Sequence, residues 1–187
     1  ILDLSRIEAE KMEIRSEEFS LADVLQPTKD IFDHNQSHNE NILTLGSADG
    51  LPQKLVGDRT RLMQILLNLV GNACKYTHHG TVTVTVSELQ RGISYCRLLF
   101  VIEDTGPGIA ADKLEYVFET FTQADDSQST YARKYEGAGL GLPLVKRLVA
   151  LMGGTMAIDS VPGEGTAVYV SLPFELPQPE EQRTAGS

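Results

Sequence analysis

The stretch DRTRLMQILLNLVGNACKYT, from Asp58 to Thr77, decides how this sequence reads. At about 100° per residue, Leu62, Ile65, Leu66, Leu69, Val70 and Ala73 cover one broad apolar arc. Arg61, Gln64, Asn68, Asn72 and Lys75 recur at steps of three and four and form a narrow polar stripe. The pattern predicts a helix with one buried side. Cys74 lies off the stripe and reads as a packing residue.

The stripe has two readings. It is the solvated face of an amphipathic helix, or it is a binding face. Two asparagines suit the first poorly, because Asn is a weak helix former. A neutral amide oxygen is a hard ligand that suits Mg²⁺, which takes few protein ligands and fills its shell with phosphates and water. Asn72 followed by Lys75 would then set a metal ligand beside a phosphate-binding cation.

Working outward, the flanking segments predict an α+β chain. Residues 1 to about 15 carry Leu4, Ile7, Met12 and Ile14 among charges and read as the end of an amphipathic helix. Ser20 with Asp23 resembles a helix start, and the helix should run to about residue 36, with a kink at Pro27. Residues 42–47 and 81–87 read as strands; the second, TVTVTVS, alternates with one wet face. Residues 95–104 form a more deeply buried strand, and 114–118 a short helix. A polar stretch, 119–138, reads as a lid or an unstructured loop. Residues 140–152 return to an amphipathic helix, and strands at 155–160 and 166–174 follow, joined by Pro162-Gly163-Glu164-Gly165. This order predicts a two-layer α/β sandwich with one mixed, mostly antiparallel sheet covered by helices on one face.

Composition narrows the function. The chain has 187 residues, enough for one domain, and a formal net charge of -10. That charge argues against nucleic acid as a partner, since phosphate backbones select basic surfaces. Binding any polyanion then requires local cations, backbone N–H groups or a divalent metal. No apolar run approaches the roughly 20 residues that span a bilayer, and no signal peptide is visible. Cys74 and Cys96 read as buried free thiols, which fits a cytoplasmic setting. The first residue is Ile1, so we expect a piece of a longer protein.

Two glycine-rich segments flank the polar stretch. Asp104-Thr-Gly-Pro-Gly108 follows a buried strand; it is a tight turn, or a place where backbone approaches a flat ligand while Asp104 accepts from a base amino group. Gly137-Ala-Gly-Leu-Gly-Leu142 opens a helix, as a hinge or as an anion site at the helix start. Neither fits a Rossmann unit, and no Walker-type Gly-Lys-Ser/Thr occurs.

Taken in order, these segments resemble the boxes of the ATPase domain shared by histidine kinases, type II topoisomerases, Hsp90 chaperones and MutL proteins. The details are similar to histidine kinases. Asn68-Leu-Val-Gly-Asn72-Ala-Cys-Lys75-Tyr76-Thr77 matches the N box, Asp104-Thr-Gly-Pro-Gly108 the G1 box and Phe118-Glu-Thr-Phe121 the F box. Gly137 to Leu142 matches the G2 box, and Gly163-Glu-Gly-Thr166 the last glycine box. The opening residues resemble the end of a dimerisation and phosphoacceptor domain, as in hybrid sensor kinases.

The resemblance implies a Bergerat-type fold binding ATP and Mg²⁺. It implies residues 1–15 as the end of a dimerisation helix, 16–175 as the catalytic domain and 176–187 as a linker. Asn72 would ligand Mg²⁺, with Asn68 supporting the metal or the phosphates. Lys75 would contact phosphate, and Tyr76 would lie near adenine or ribose. Asp104 would accept from the adenine amino group, with Thr166 helping through water. Gly106 and Gly108 would line the base pocket, and Ile109 and Phe121 would also belong to the nucleotide site. Gly137, Gly139, Leu140, Gly141 and Leu142 would belong to the phosphate cradle, and Arg133 would approach the γ-phosphate. The implied catalytic set is Asn68, Lys75 and Arg133. The implied partners are a histidine-bearing dimerisation domain of the same protein and a downstream receiver domain or response regulator.

Two positions depart from the pattern. Glu136 and Ala138 stand where Gly and Thr are usual, adding a negative charge and removing a hydroxyl. A competing reading is therefore a nucleotide-binding regulatory module that modulates a partner kinase. An ATP-driven clamp is disfavoured, because the clamp relatives typically carry Glu where Asn68 stands. No phosphoacceptor His-Glu-Leu-Arg-Thr-Pro motif occurs, and His34, His38, His78 and His79 read as structural or surface residues.

Overall fold

The alternating and 3.6-residue patterns resolve into one sheet with helices on one side. The computed structural model describes residues 13–35, 40–114 and 141–178. The elements are β1 (Glu17–Phe19), α1 (Ala22–Asn35), β2 (Ile42–Ser47), β3 (Leu55–Gly57), α2 (Arg59–Tyr76), β4 (Thr81–Arg91), β5 (Tyr95–Asp104), α3 (Gly141–Leu151), β6 (Thr155–Val161) and β7 (Gly165–Glu175).

The seven strands run in the order β1-β3-β7-β5-β4-β2, with β6 also paired to β7. Every pair is antiparallel except β2 with β4. Parallel neighbours need a crossover, and α2 supplies it between β2 and β4.

Alternation puts Val82, Val84 and Val86 of β4 on the helix side, with Cys96, Leu98, Phe100 and Ile102 of β5, and all are buried. Val170, Leu172 and Phe174 continue that face on β7. The apolar arc of α2 covers it: Leu62, Ile65, Leu66, Leu69, Val70 and Ala73 are all buried. Val24 of α1 and Val145, Leu148 and Val149 of α3 close the layer. Each fully buried large apolar side chain contributes about 1.5–3 kcal/mol, so this face drives the fold.

The helix starts follow local chemistry. Asp58 caps α2 by accepting the Arg61 N–H at 2.9 Å, and its other oxygen accepts the Arg15 N–H at 2.8 Å. Ser20 and Asp23 cap α1 reciprocally, at 3.0 and 3.3 Å. Pro27 is held inside α1.

Several expectations need correction. The strands β1 and β3 were not anticipated; three residues are too few to show a period, and each forms by pairing with its neighbour. Residues 13–16 carry no helix and lead into β1, while the rest of the helix expected over 1–15 lies outside the described residues. Helix α1 is described as far as Asn35, in line with the expected extent to about residue 36. Strand β4 runs past residue 87 to Arg91 because β5 continues to pair with it across a register shift between Glu88 and Gln90. Cys96 is buried as expected, but Cys74 is only half-buried; the two are not joined in a disulfide.

Candidate functional site

The sheet brings distant segments to one end. Val82, near the start of β4, pairs with Asp104 at the end of β5, and Asp104 pairs with Thr166 at the start of β7. Because α2 runs directly into β4, its last residues, Tyr76 and Thr77, arrive at that same end.

Asp104 is the centre of this cluster. Its Oδ1 accepts the Gly106 N–H at 2.9 Å. A Cβ on Gly106 would lie 2.8 Å from that oxygen, 3.0 Å from Thr77 Oγ1 and 3.4 Å from the Tyr76 carbonyl, so only glycine lets these groups converge. Burial pushes the Asp104 carboxyl up from its ordinary range, opposed by the backbone N–H groups of Gly106 and Thr166 and by the nearby Thr77 hydroxyl. Thr77 Oγ1 is fully buried and has no partner of hydrogen-bonding geometry among the described residues. The site thus holds a half-buried carboxylate with acceptor capacity to spare.

The loop after Asp104 is fastened to the turn between β6 and β7. Gly108 has φ of 68°, and a Cβ there would meet the Val161 carbonyl at 2.1 Å. Gly163 N–H donates to the Pro107 carbonyl at 2.7 Å. Ile109 N–H donates to Ser160 Oγ at 2.8 Å, and that hydroxyl lies 2.7 Å from Thr166 Oγ1. Gly165 lies so close that a Cβ would overlap the Asp104 carbonyl at 1.9 Å.

On α2, the stripe residues sit as the helical wheel places them. Asn68 donates its amide to the Gln64 carbonyl at 2.8 Å, one turn back. The Asn72 amide nitrogen is buried with no hydrogen-bond partner among the described residues. Lys75 is exposed, its Nζ 5.4 Å from the centre of the Tyr76 ring. A concavity of about 570 Å³ opens on the other half of α2, lined among the described residues by Thr60, Arg61, Met63, Gln64, Leu67 and Asn68. It includes Asn68 but not the Asp104 cluster.

Of the remaining expected residues, Gly141 opens α3 and Leu142 packs against the core. Phe121, Arg133, Gly137, Gly139 and Leu140 lie outside the described residues, as do Phe118, Glu136 and Ala138. Exposed His79 pairs with Glu40 at 3.2 Å in the turn before β4.

Two residues escaped the sequence reading. Asn41 is 5% exposed and ties the end of α2 to β4: its amide donates to the Cys74 and Thr77 carbonyls at 2.9 and 2.7 Å, and its oxygen accepts the Gly80 N–H at 3.1 Å. Ser160 bridges the two loops. Neither sits in a glycine box or on a helical face, so no local pattern flags it.

The donor set suits a magnesium–nucleotide pair. Among the described residues no cluster of three His, Cys, Asp or Glu side chains could hold a metal. An ion beside Asn72 would find few protein ligands among the described residues and would fill its shell with phosphates and water, which is how Mg²⁺ is usually held. The buried, unpartnered Asn72 amide nitrogen is a donor, which suits a phosphate oxygen or a water and leaves the amide oxygen as the atom that would hold the ion.

A family model described as histidine kinase-, DNA gyrase B-, and HSP90-like ATPase matches residues 57–176. The chain belongs to this ATPase family. The sensor protein GacS of Pseudomonas syringae pv. syringae is 38% identical over 183 residues, which is 98% of this chain and 20% of that protein. The sensory/regulatory protein RpfC of Xanthomonas campestris pv. campestris is 37% identical over 185 residues, 98% of this chain and 25% of the relative. This ATPase domain therefore spans a fifth to a quarter of these curated relatives. The crystal structure of full-length ShkA in complex with AMPPNP superposes with a TM-score of 0.74 at 31% identity, covering 95% of this chain and 35% of that one. The catalytic domain of the histidine kinase ThkA, at 21% identity and a TM-score of 0.65 over 87% of this chain and 96% of its own, shares the fold. The expected two-layer architecture and the resemblance to histidine-kinase catalytic domains both hold.

Proposed function

We propose that this domain binds ATP with Mg²⁺ and passes the γ-phosphoryl group to a histidine on a separate helical domain of the same protein. The observation that carries the reading is the Asp104 cluster: a half-buried carboxylate, braced by the Gly106 N–H, at the end of the helix that bears Asn68, Asn72 and Lys75.

In this reading Asp104 accepts from the base amino group, with Thr166 beside it. Gly106, Gly108 and Ile109 wall the base, and Tyr76 lies along the adenine or ribose. Asn72 would hold Mg²⁺, which neutralises phosphate charge when bound. Lys75 and Asn68 would position the phosphates, with Arg133 and the Gly137–Leu142 segment completing the cradle. Phosphoryl transfer needs mainly such positioning and charge neutralisation. A neutral imidazole nitrogen attacks the γ-phosphorus. The bond to the β–γ bridging oxygen breaks, ADP leaves with that electron pair, and the other imidazole nitrogen releases its proton. The helical domain would lie upstream of about residue 16 and a receiver domain or response regulator downstream, in a cytoplasmic setting. No helix among the described residues is long and apolar enough to cross a membrane.

The test is to mix the chain with its helical domain and γ-labelled ATP·Mg²⁺. Acid-labile label on the helical domain is expected, with little turnover by the chain alone. ATP binding without label would instead favour the regulatory module suggested by Glu136 and Ala138.

A further inference from the structure

One hydroxyl in the site touches three groups at once. Ser160 Oγ receives the Ile109 N–H at 2.8 Å, lies 3.1 Å from the Gly165 carbonyl and 2.7 Å from Thr166 Oγ1. A serine hydroxyl has one proton and two lone pairs. The Ile109 amide can only donate and the Gly165 carbonyl can only accept. One assignment uses all three contacts. Ser160 donates to Gly165, accepts from Ile109, and accepts the Thr166 hydroxyl proton.

That assignment fixes what Thr166 offers to anything else. With its proton committed to Ser160, Thr166 Oγ1 presents lone pairs only. Asp104, its partner across β5 and β7, is likewise acceptor-only when ionised. The two side chains together form a surface with acceptors and no donor. An exocyclic amine, with two N–H groups, matches it; a carbonyl at the same place meets lone pairs with lone pairs.

We propose that Ser160 is a positioning residue that sets base specificity: by holding the Thr166 hydroxyl as an acceptor, it makes the pocket select a 6-amino purine over a 6-oxo purine. This rests on the nucleotide-site reading above and goes beyond it by assigning the discrimination to Ser160. Removing the Ser160 hydroxyl frees the Thr166 proton to point at the base, where it repels an amine and attracts a carbonyl.

ATP and inosine triphosphate differ at C6 by amino against oxo and at N1 by a bare nitrogen against an N–H, so purine riboside triphosphate, which lacks only the amino group, is run beside them and its affinity ratio to ATP reads the C6 contact alone. Calorimetry with each, plus Mg²⁺, is run on the chain and on Ser160→Ala, Ser160→Thr and Thr166→Val, with melting temperatures recorded. The expected result is a fall of about tenfold in the ATP preference for Ser160→Ala, the size of one net hydrogen bond. Ser160→Thr, which keeps the hydroxyl, should restore the preference. Thr166→Val keeps the Ser160 contacts to Ile109 and Gly165 and should lose the preference as Ser160→Ala does, which serves if the alanine variant fails to fold. An unchanged ratio in Ser160→Ala or in Thr166→Val would overturn the proposal, as would a Ser160→Thr variant that behaves like alanine. Failure of the unmodified chain to bind any of these nucleotides would instead refute the nucleotide-site reading.

Discussion

Replacing Asp104 with asparagine separates the binding role of this residue from its role in the fold. The side chain keeps its size, and the remaining carbonyl oxygen can still accept the Gly106 N–H that Oδ1 now receives at 2.9 Å. What is lost is the charge and one acceptor. A hydrogen bond to a charged group is worth about 1.5–3 kcal/mol, so ATP affinity should fall on the order of 10- to 100-fold. Stability should move differently. Burial raises the Asp104 carboxyl above its ordinary range, so the ionised form costs stability in the folded state. That cost is fully present above the folded pKa and fades as pH falls through it toward the unfolded value. Asp104→Asn removes the cost, so its melting temperature near pH 7.5 should hold or rise while binding collapses. Affinity of the unmodified chain should also weaken on acidification, from a higher pH than an ordinary carboxylate would give, while the variant stays flat. Calorimetry with ATP·Mg²⁺ across pH, alongside thermal melts, measures both. Affinity within threefold of the parent would refute the placement of Asp104 in the base pocket.

Other expectations follow from neighbouring residues. Asn41→Ala removes an amide that serves three backbone groups; we expect a loss of about 2–3 kcal/mol in urea unfolding and weaker ATP binding, and a loss under 0.5 kcal/mol would contradict the bracing role. Asn72→Ala should lower ATP affinity at least about tenfold with Mg²⁺ present and leave no difference between Mg²⁺ and a chelator; a surviving Mg²⁺ dependence would place the ion elsewhere. The Cys74 thiol is pushed up to about 11, chiefly by burial, with Asp104 adding to it. At pH 8 only about one such thiol in a thousand is ionised, so native alkylation at Cys74 should run at least about a hundredfold slower than in urea, as peptide mass mapping can follow.

By itself the sequence determined what depends on neighbours along the chain. The six apolar positions of α2 are buried where the 3.6-residue period puts them, and β4 alternates as its valines and threonines require. The glycine boxes pointed to the ATPase family, because each box concentrates its signal in a few adjacent residues. Tertiary structure decided the rest. β1 and β3 are too short to carry a period and exist only through their pairing. The parallel register of β2 on β4 depends on the crossover by α2, not on any residue in β2. The resemblance paired Asp104 with Thr166, but the convergence of Thr77 and Ser160 on them was equally invisible, since these residues come from four separate segments. Side-chain hydrogen bonds such as those of Asn41 and Ser160 leave no periodic trace. They are set by where the sheet brings strand ends together, and that depends on the fold as a whole.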